Sequence, residues 1–282
     1  MAQHTVAIIG VGTVGQSWAA LFLSYGNRVR LWDPVERLDE RFAAYLENVV
    51  TEKPLPPPSK LSSLWVVCKT VEDALEGVTY VQENAPENME TKQAMLSRID
   101  EVLPTDVIVG SSTSSFLLVD MVATCTRAPS RVVLSHPFNR ERNRERESAP
   151  LLCACNQANS LTQPSLLSCL AGRLDVAPHL MPLVELFGTS DGSVAKAIAF
   201  YKSVGRHPIT MNKQLPGHVA NRLTSAIFRE AVWMLREGIA SVADIDAAMS
   251  QVFESIALVH ERARALAVRL SATHSRCSAA LF

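Results

Sequence analysis

Apolar residues come along this chain mostly in short unbroken runs, and that pattern sorts the elements. Thr5 to Ile9 (TVAII), Val29 to Trp32 (VRLW), Trp65 to Cys68 (WVVC), Tyr80-Val81, Val107 to Val109 and Val132 to Leu134 are each too short for a helix. They read as strands buried on both faces of a parallel sheet, since a half-solvated strand would alternate. Between them lie helical stretches: one from Gly15 to about Tyr25 with Gly26 as its C-cap, one around Leu38 to Val50, and one from about Asn88 to Val102. A proline-rich link, Pro54 to Pro58, follows the second. Strands alternating with helices predict an α/β fold with a doubly wound parallel sheet. From Gly192 onward the pattern turns helical. Val194 to Val204 and Gly217 to Gly238 read as helices, the latter with Val219, Leu223, Ile227, Ala231 and Leu235 along one side. The expected division is a sheet domain over residues 1–191 and a smaller all-helical domain over 192–282.

The first strand runs into Gly10-Val11-Gly12-Thr13-Val14-Gly15, a complete G-x-G-x-x-G, and a helix follows at once. Gly10 permits the tight turn, Gly12 lets the backbone approach a pyrophosphate, and Gly15 lets helix and strand pack closely. The helix N-terminus offers N–H groups and the positive end of its dipole. Asp33 stands at the carboxyl end of the next strand, eighteen residues after Gly15. A carboxylate there accepts both ribose hydroxyls and repels a 2′-phosphate, so the cofactor expected is NAD rather than NADP. Glycine patterns recur in loops by chance. The place of this one between strand and helix, with the acid at this distance, makes the first domain a Rossmann-type NAD-binding fold.

Charge and composition narrow the partners. The 282 residues carry 27 Lys+Arg against 28 Asp+Glu, a formal net charge of −1, which leaves little to attract nucleic acid or an anionic membrane. With 48% hydrophobic and 20% charged residues, the composition is that of a packed globular protein. No run approaches a membrane span and no leader pattern opens the chain, so a cytoplasmic protein is expected. The six cysteines make no CxxC pair and the seven histidines no H-E-x-x-H, so no metal is expected.

Residues able to do chemistry gather at strand ends. Ser111 to Ser115 (SSTSS) falls just past the strand Val107 to Val109, where ligands bind in such sheets, although a serine cluster by itself is as readily a solvated turn. His136 follows Val132 to Leu134, in His136-Pro137-Phe138-Asn139. Imidazole titrates near neutrality and can take a proton from an alcohol at that edge. Glu185, an acid inside the apolar Pro182-Leu183-Val184-Glu185-Leu186, is the partner that would orient it. Read alone, either residue could also be structural.

The GVGTVG start, Gln82-Glu83-Asn84-Ala85-Pro86-Glu87-Asn88, SSTSS, HPFN, PLVEL and Pro216-Gly217-His218-Val219-Ala220-Asn221-Arg222-Leu223 occur in the order seen in 3-hydroxyacyl-CoA dehydrogenases. The chain resembles that family over most of its length up to about Gln251. GQSWAALF, SSTSS, PLVEL and REGIASVADID look closer to its lambda-crystallin or L-gulonate 3-dehydrogenase branch. The resemblance implies that His136 is the general base and that Glu185 orients and charge-stabilises it. It also implies that Ser114 and Asn221 hydrogen-bond the substrate oxygen, and that Gly10, Gly12, Gly15, Asp33, Glu87, Lys92 and Asn139 line the NAD site. The substrate would be a small molecule with a 3-hydroxyl, and a homodimer is implied where the helical domain is complete. Ser112 departs from the asparagine usual in the acyl-CoA enzymes, which favours a shorter substrate. The alternative reading is a non-catalytic NAD-binding or crystallin-like structural protein.

Two stretches break the pattern. His136 and Glu185 stand 49 residues apart, whereas in the family the two motifs nearly adjoin. Removing Arg140 to Val176, 37 residues, brings the acid to twelve after the histidine. The block opens Arg-Glu-Arg-Asn-Arg-Glu-Arg-Glu and holds three of the six cysteines. Arg140-Glu141-Arg142 can be encoded with a splice-donor sequence and Val176-Ala177 with an acceptor. The block therefore reads as a translated intron, the alternative being a genuine surface insertion. After Gln251 the sequence again leaves the family pattern, so the helical domain reads as truncated.

Overall fold

The computed structural model describes residues 4–138, 178–245 and 247–249. Asn139, the block 140–176 and the stretch after 251 lie outside the described residues. Within them, one sheet holds β1 (Thr5–Ile9), β2 (Arg28–Trp32), β3 (Trp65–Val67), β4 (Tyr80–Glu83), β5 (Ile108–Ser111), β6 (Val132–Pro137), β7 (Leu183–Phe187) and β8 (His207–Thr210). The spatial order is β3-β2-β1-β4-β5-β6-β7-β8. Strands β1 to β6 are parallel and follow the Rossmann order, as expected. β7 runs antiparallel to β6, and β8 parallel to β7.

The helices are α1 (Thr13–Ser24), α2 (Leu38–Asn48), α3 (Pro58–Leu61), α4 (Val71–Leu75), α5 (Met89–Val102), α6 (Leu118–Met121), α7 (Asp191–Ser203) and α8 (Ala220–Arg236). The two-residue period of a strand explains why β1 is apolar throughout. Val6 and Ile8 enter one core with Trp18 and Phe22 of α1 and Phe200 of α7. Ala7 and Ile9 enter the other with Val71 of α4, Leu96 of α5 and Met121 of α6. Val6, Ala7, Ile8 and Ile9 are fully buried, and each large one contributes on the order of 1.5–3 kcal/mol.

Two compact units result, Met1–Asn221 and Arg222–Phe282. The boundary drawn from sequence at 191/192 falls inside the first, because α7 and β8 both join the sheet: α7 buries Ala197, Phe200 and Tyr201. No strand is expected from His207-Pro208-Ile209-Thr210, which is short, contains proline and is only half-buried; an edge position tolerates all three. The helix expected from Gly217 begins at Ala220 instead, since Gly217 and His218 turn the chain with φ of +77° and +47°. In the second unit, Leu223, Ile227, Phe228, Trp233 and Leu235 of α8 are exposed. Among the described residues no helix is long and apolar enough to cross a membrane.

Candidate active site

The glycine loop is built as its sequence requires. A Cβ on Gly10, at φ +88°, would come 2.6 Å from the Asn84 carbonyl oxygen, and one on Gly15 would come 2.0 Å from that of Gly10. Both glycines are demanded by the protein's own backbone. Gly12 is different: a Cβ there meets nothing within 4 Å. It is also the N-cap of α1 and offers no side-chain cap, so the first N–H groups of the helix lack the partner a capping side chain would supply. Asp33 takes the Val11 N–H at 2.7 Å and the Val35 N–H at 3.0 Å, one on each carboxylate oxygen. It thereby holds the glycine loop and keeps lone pairs for ribose hydroxyls. An open Gly12 backbone, an uncapped helix start and an acid at the strand end together fit NAD.

Lys92 and Glu87 form one network around a residue the sequence analysis did not single out. Lys92, on α5, is 1% exposed, and its ammonium reaches Glu83 Oε1 at 3.0 Å, Oε2 at 3.3 Å and the Ala85 carbonyl at 3.1 Å. Glu83 is the last residue of β4, fully buried, and also accepts from the Ser111 hydroxyl. Lys92 therefore binds inward. Glu87 lies 3.5 Å from the same ammonium. Its Oε1 accepts from the Thr113 hydroxyl at 2.6 Å and from the Ser114 and Ser115 N–H groups at 3.0 Å each. Burial pushes the Glu87 carboxyl up, but these donors and the Lys92 charge outweigh it and hold it below the ordinary carboxylate value. Glu87 thus pins the SSTSS turn from one side. Ser112 is saturated: it accepts from Trp18 Nε1 at 3.1 Å and Gln82 Nε2 at 2.9 Å, and donates to Asn84 Oδ1 at 2.7 Å.

His136 and Glu185 face each other directly across the antiparallel pair β6 and β7. Directly opposed residues share a face, with Cβ atoms about 4.5–5.5 Å apart. Val184 and Leu186 point into a core on one side, which sends Glu185 to the other by the strand period. His136 Nδ1 lies 2.9 Å from Glu185 Oε2, with both residues buried. The other oxygen, Oε1, accepts the Val219 and Ala220 N–H groups at 2.8 and 2.9 Å, at the start of α8. Burial raises the Glu185 carboxyl, yet the hydrogen bonds from His136, Ala220 and Val219 and the His136 charge reverse this and hold it low. A carboxylate only accepts, so His136 Nδ1 carries a proton, and in the neutral ring the lone pair is then on Nε2.

Asn221 sits in the first turn of α8, one residue past Ala220, half-buried. Ser114 is half-buried, with its N–H on Glu87 and its carbonyl accepting from Gly217 N–H at 3.3 Å. His218 is a second residue that the sequence analysis passed over. It is 2% exposed, its ring centre stands 4.9 Å from that of His136, and its Nε2 lies 3.2 Å from the Thr113 carbonyl oxygen. The available signal was a histidine between a glycine and a helix start inside a motif already noted. For Glu83 it was an acid closing an apolar strand with a lysine nine residues on.

Comparison with known proteins bears on the whole arrangement. Residues 5–142 match the model of the 3-hydroxyacyl-CoA dehydrogenase NAD binding domain, and residues 217–256 that of the 3-hydroxyacyl-CoA dehydrogenase C-terminal domain. An L-carnitine dehydrogenase of Streptomyces coelicolor is 33% identical over 252 residues, covering 87% of this chain and 67% of that protein. A 3-hydroxyacyl-CoA dehydrogenase of Gibberella moniliformis is 32% identical over 251 residues, covering 88% and 66%. The chain thus spans about two thirds of the length of these relatives. Among solved structures, the (S)-3-hydroxybutyryl-CoA dehydrogenase of Ralstonia eutropha superposes with a TM-score of 0.64 at 26% identity, over 86% of this chain and 75% of that one. With a Rossmann sheet, a glycine loop fitted to NAD and relatives of this kind, the chain belongs to the 3-hydroxyacyl-CoA dehydrogenase family, and NAD is its cofactor.

Proposed function

We propose that this chain oxidises the 3-hydroxyl of a small 3-hydroxy acid or of its CoA thioester, with His136 as the base. The observation that carries the reading is the buried 2.9 Å contact between His136 Nδ1 and Glu185 Oε2. It fixes the tautomer and turns the ring so that Nε2 is the basic atom, the orienting logic of catalytic triads. Nε2 takes the proton of the substrate hydroxyl, and Glu185 stabilises the resulting imidazolium while two backbone N–H groups hold its other oxygen in place. Ser114 and Asn221 hydrogen-bond the substrate oxygen, and Gly10, Gly12, Gly15, Asp33 and Glu87 serve the cofactor, with Asn139 assigned to it from sequence alone. Lys92 acts indirectly, through Glu83 and Glu87. NAD, when bound, supplies the hydride acceptor.

L-carnitine, L-gulonate and 3-hydroxyacyl-CoA all belong to this substrate class, the first and last being named by relatives. The test is NADH formation with these three compounds. Turnover with at least one is expected, and His136→Ala should lower it by roughly 10²–10⁴-fold while NAD still raises the melting temperature. No NADH from any of them, or undiminished turnover in the variant, overturns the reading.

A further inference from the structure

The SSTSS turn is tied to the stretch of chain that leads into α8. The amide of Gln214 spans the backbone on either side of Leu117: its Nε2 donates to the Phe116 carbonyl at 2.6 Å, and its Oε1 accepts the Leu118 N–H at 2.7 Å. Both partners are backbone groups of fixed polarity, so the amide has one orientation. Leu117 is extended, with φ of −74° and ψ of 138°, and α6 starts after it with no side-chain cap at that position. Gln214 supplies the missing acceptor from 96 residues further along the chain. Gly217 N–H then binds the Ser114 carbonyl at 3.3 Å, and His218 Nε2 lies 3.2 Å from the Thr113 carbonyl oxygen. The same stretch goes on to give the Val219 and Ala220 N–H groups to Glu185, and Asn221 follows. Ser114 is thus fixed at its N–H by Glu87 and at its carbonyl by the chain that holds the partner of His136.

We propose that Gln214 is a positioning residue: its grip on Phe116 and Leu118 sets where Ser114 stands relative to the His136–Glu185 pair. The inference rests on the reading of Ser114 and His136 as groups that act on one substrate oxygen. Residues 113–117 belong to no strand or helix, so bonds from outside the turn decide its place. The Ser114 hydroxyl helps only if it reaches the oxygen whose proton His136 Nε2 takes, and a displacement of about 1 Å is enough to cost most of that help.

Gln214→Ala removes both bonds. It should lower kcat/KM for the 3-hydroxy acid by roughly 10- to 100-fold. NAD should still raise the melting temperature, since the two bonds go to neither the glycine loop nor Asp33. Made in a Ser114→Ala background, the same substitution should cost less than about twofold, because the group it positions is already gone. Amide hydrogen exchange on the full chain with NAD separates the placing of the turn from the capping of α6: Ser114 and Ser115 should lose protection together with Leu118. Gln214→Glu keeps an acceptor for the Leu118 N–H and gives up the donor to Phe116. It should show a smaller loss of the same kind, and it carries the test where Gln214→Ala does not fold. Unchanged kcat/KM, the same fold-loss in both backgrounds, or protection lost at Leu118 alone overturns the proposal. If the parent forms no NADH while Gln214→Ala loosens Ser114 and Ser115, the dehydrogenase reading fails and the placing of Ser114 by Gln214 stands.

Discussion

Glu185 and His218 meet the same turn of chain and answer to pH in the same direction, through different protonation windows. Glu185 has its folded value held below the ordinary carboxylate one, so it contributes stability that is present above about pH 4.5 and is lost as pH falls through the folded value. The folded value of His218 is also lowered, by burial first of all, although the Thr113 carbonyl opposes the shift. Below about pH 6.5 the unfolded chain takes up a proton that folded His218 refuses, so stability falls with acid well before any carboxylate titrates. His4, likewise lowered by burial, adds to that upper window. The melting temperature should therefore drop between pH 7 and pH 5.5, and His218→Gln should flatten the slope without abolishing it. Parallel melting curves for the two proteins across that range would contradict the burial argument. Glu87 behaves as Glu185 does, so a second loss is expected below pH 4.5.

Among elements, the β1–loop–α1 unit separates what the fold needs from what the cofactor needs. A Cβ at position 15 would stand 2.0 Å from the Gly10 carbonyl oxygen, part of a turn that cannot yield. Gly15→Ala should lower stability by about 1–3 kcal/mol or more and lose NAD binding with it. At position 12 the same methyl meets nothing, so Gly12→Ala should melt close to the parent while NAD affinity falls, since in the proposed site the pyrophosphate approaches this backbone. Equal NAD affinity in Gly12→Ala would remove that glycine from the cofactor site. Asp33→Ala should weaken NAD binding and erase the preference over NADP. If that preference survives, Asp33 serves only to hold Val11. This unit was legible in sequence because every requirement in it is local: apolar strand, fixed glycine spacing, then an acid a set distance on. The order β3-β2-β1-β4-β5-β6 was legible for a similar reason, as handedness and short crossovers leave little choice. The inward turn of Lys92 was not, since a charged residue on a helix is by default a solvated one and only the position of Glu83 reverses that. The β7 and β8 additions were hidden too, one by its distance in sequence from β6 and the other by its proline and half-exposed face.

For the molecule as a whole, the decisive pairing is made across a long connection, and the structure supplies the anchors that make the connection's length expendable. β6 and β7 are in register through four residue pairs, Leu134 with Phe187 to Pro137 with Val184, and Phe138 N–H adds a bond to the Leu183 carbonyl at 3.2 Å. The chain approaching β7 is tied down independently. His179 bonds Ser17 of α1 at 2.6 Å, and the buried Arg206 guanidinium donates to the Pro178 and Met181 carbonyls at 3.1 Å each. Removing Arg140 to Val176 leaves every one of these groups in place and shortens the connection between Pro137 and Leu183 from 45 residues to eight. Eight is a usual length for such a link. The shorter loop also costs less to close, by about 1.5 kcal/mol for a flexible chain. The deletion variant should therefore fold, melt at or above the full chain, bind NAD with the same affinity and keep the His136–Glu185 pair. That last point can be read from whether His136→Ala abolishes NADH formation in the shortened protein as in the parent. A variant that fails to fold, or that loses NAD-dependent stabilisation, would show that the 37-residue block belongs to the domain.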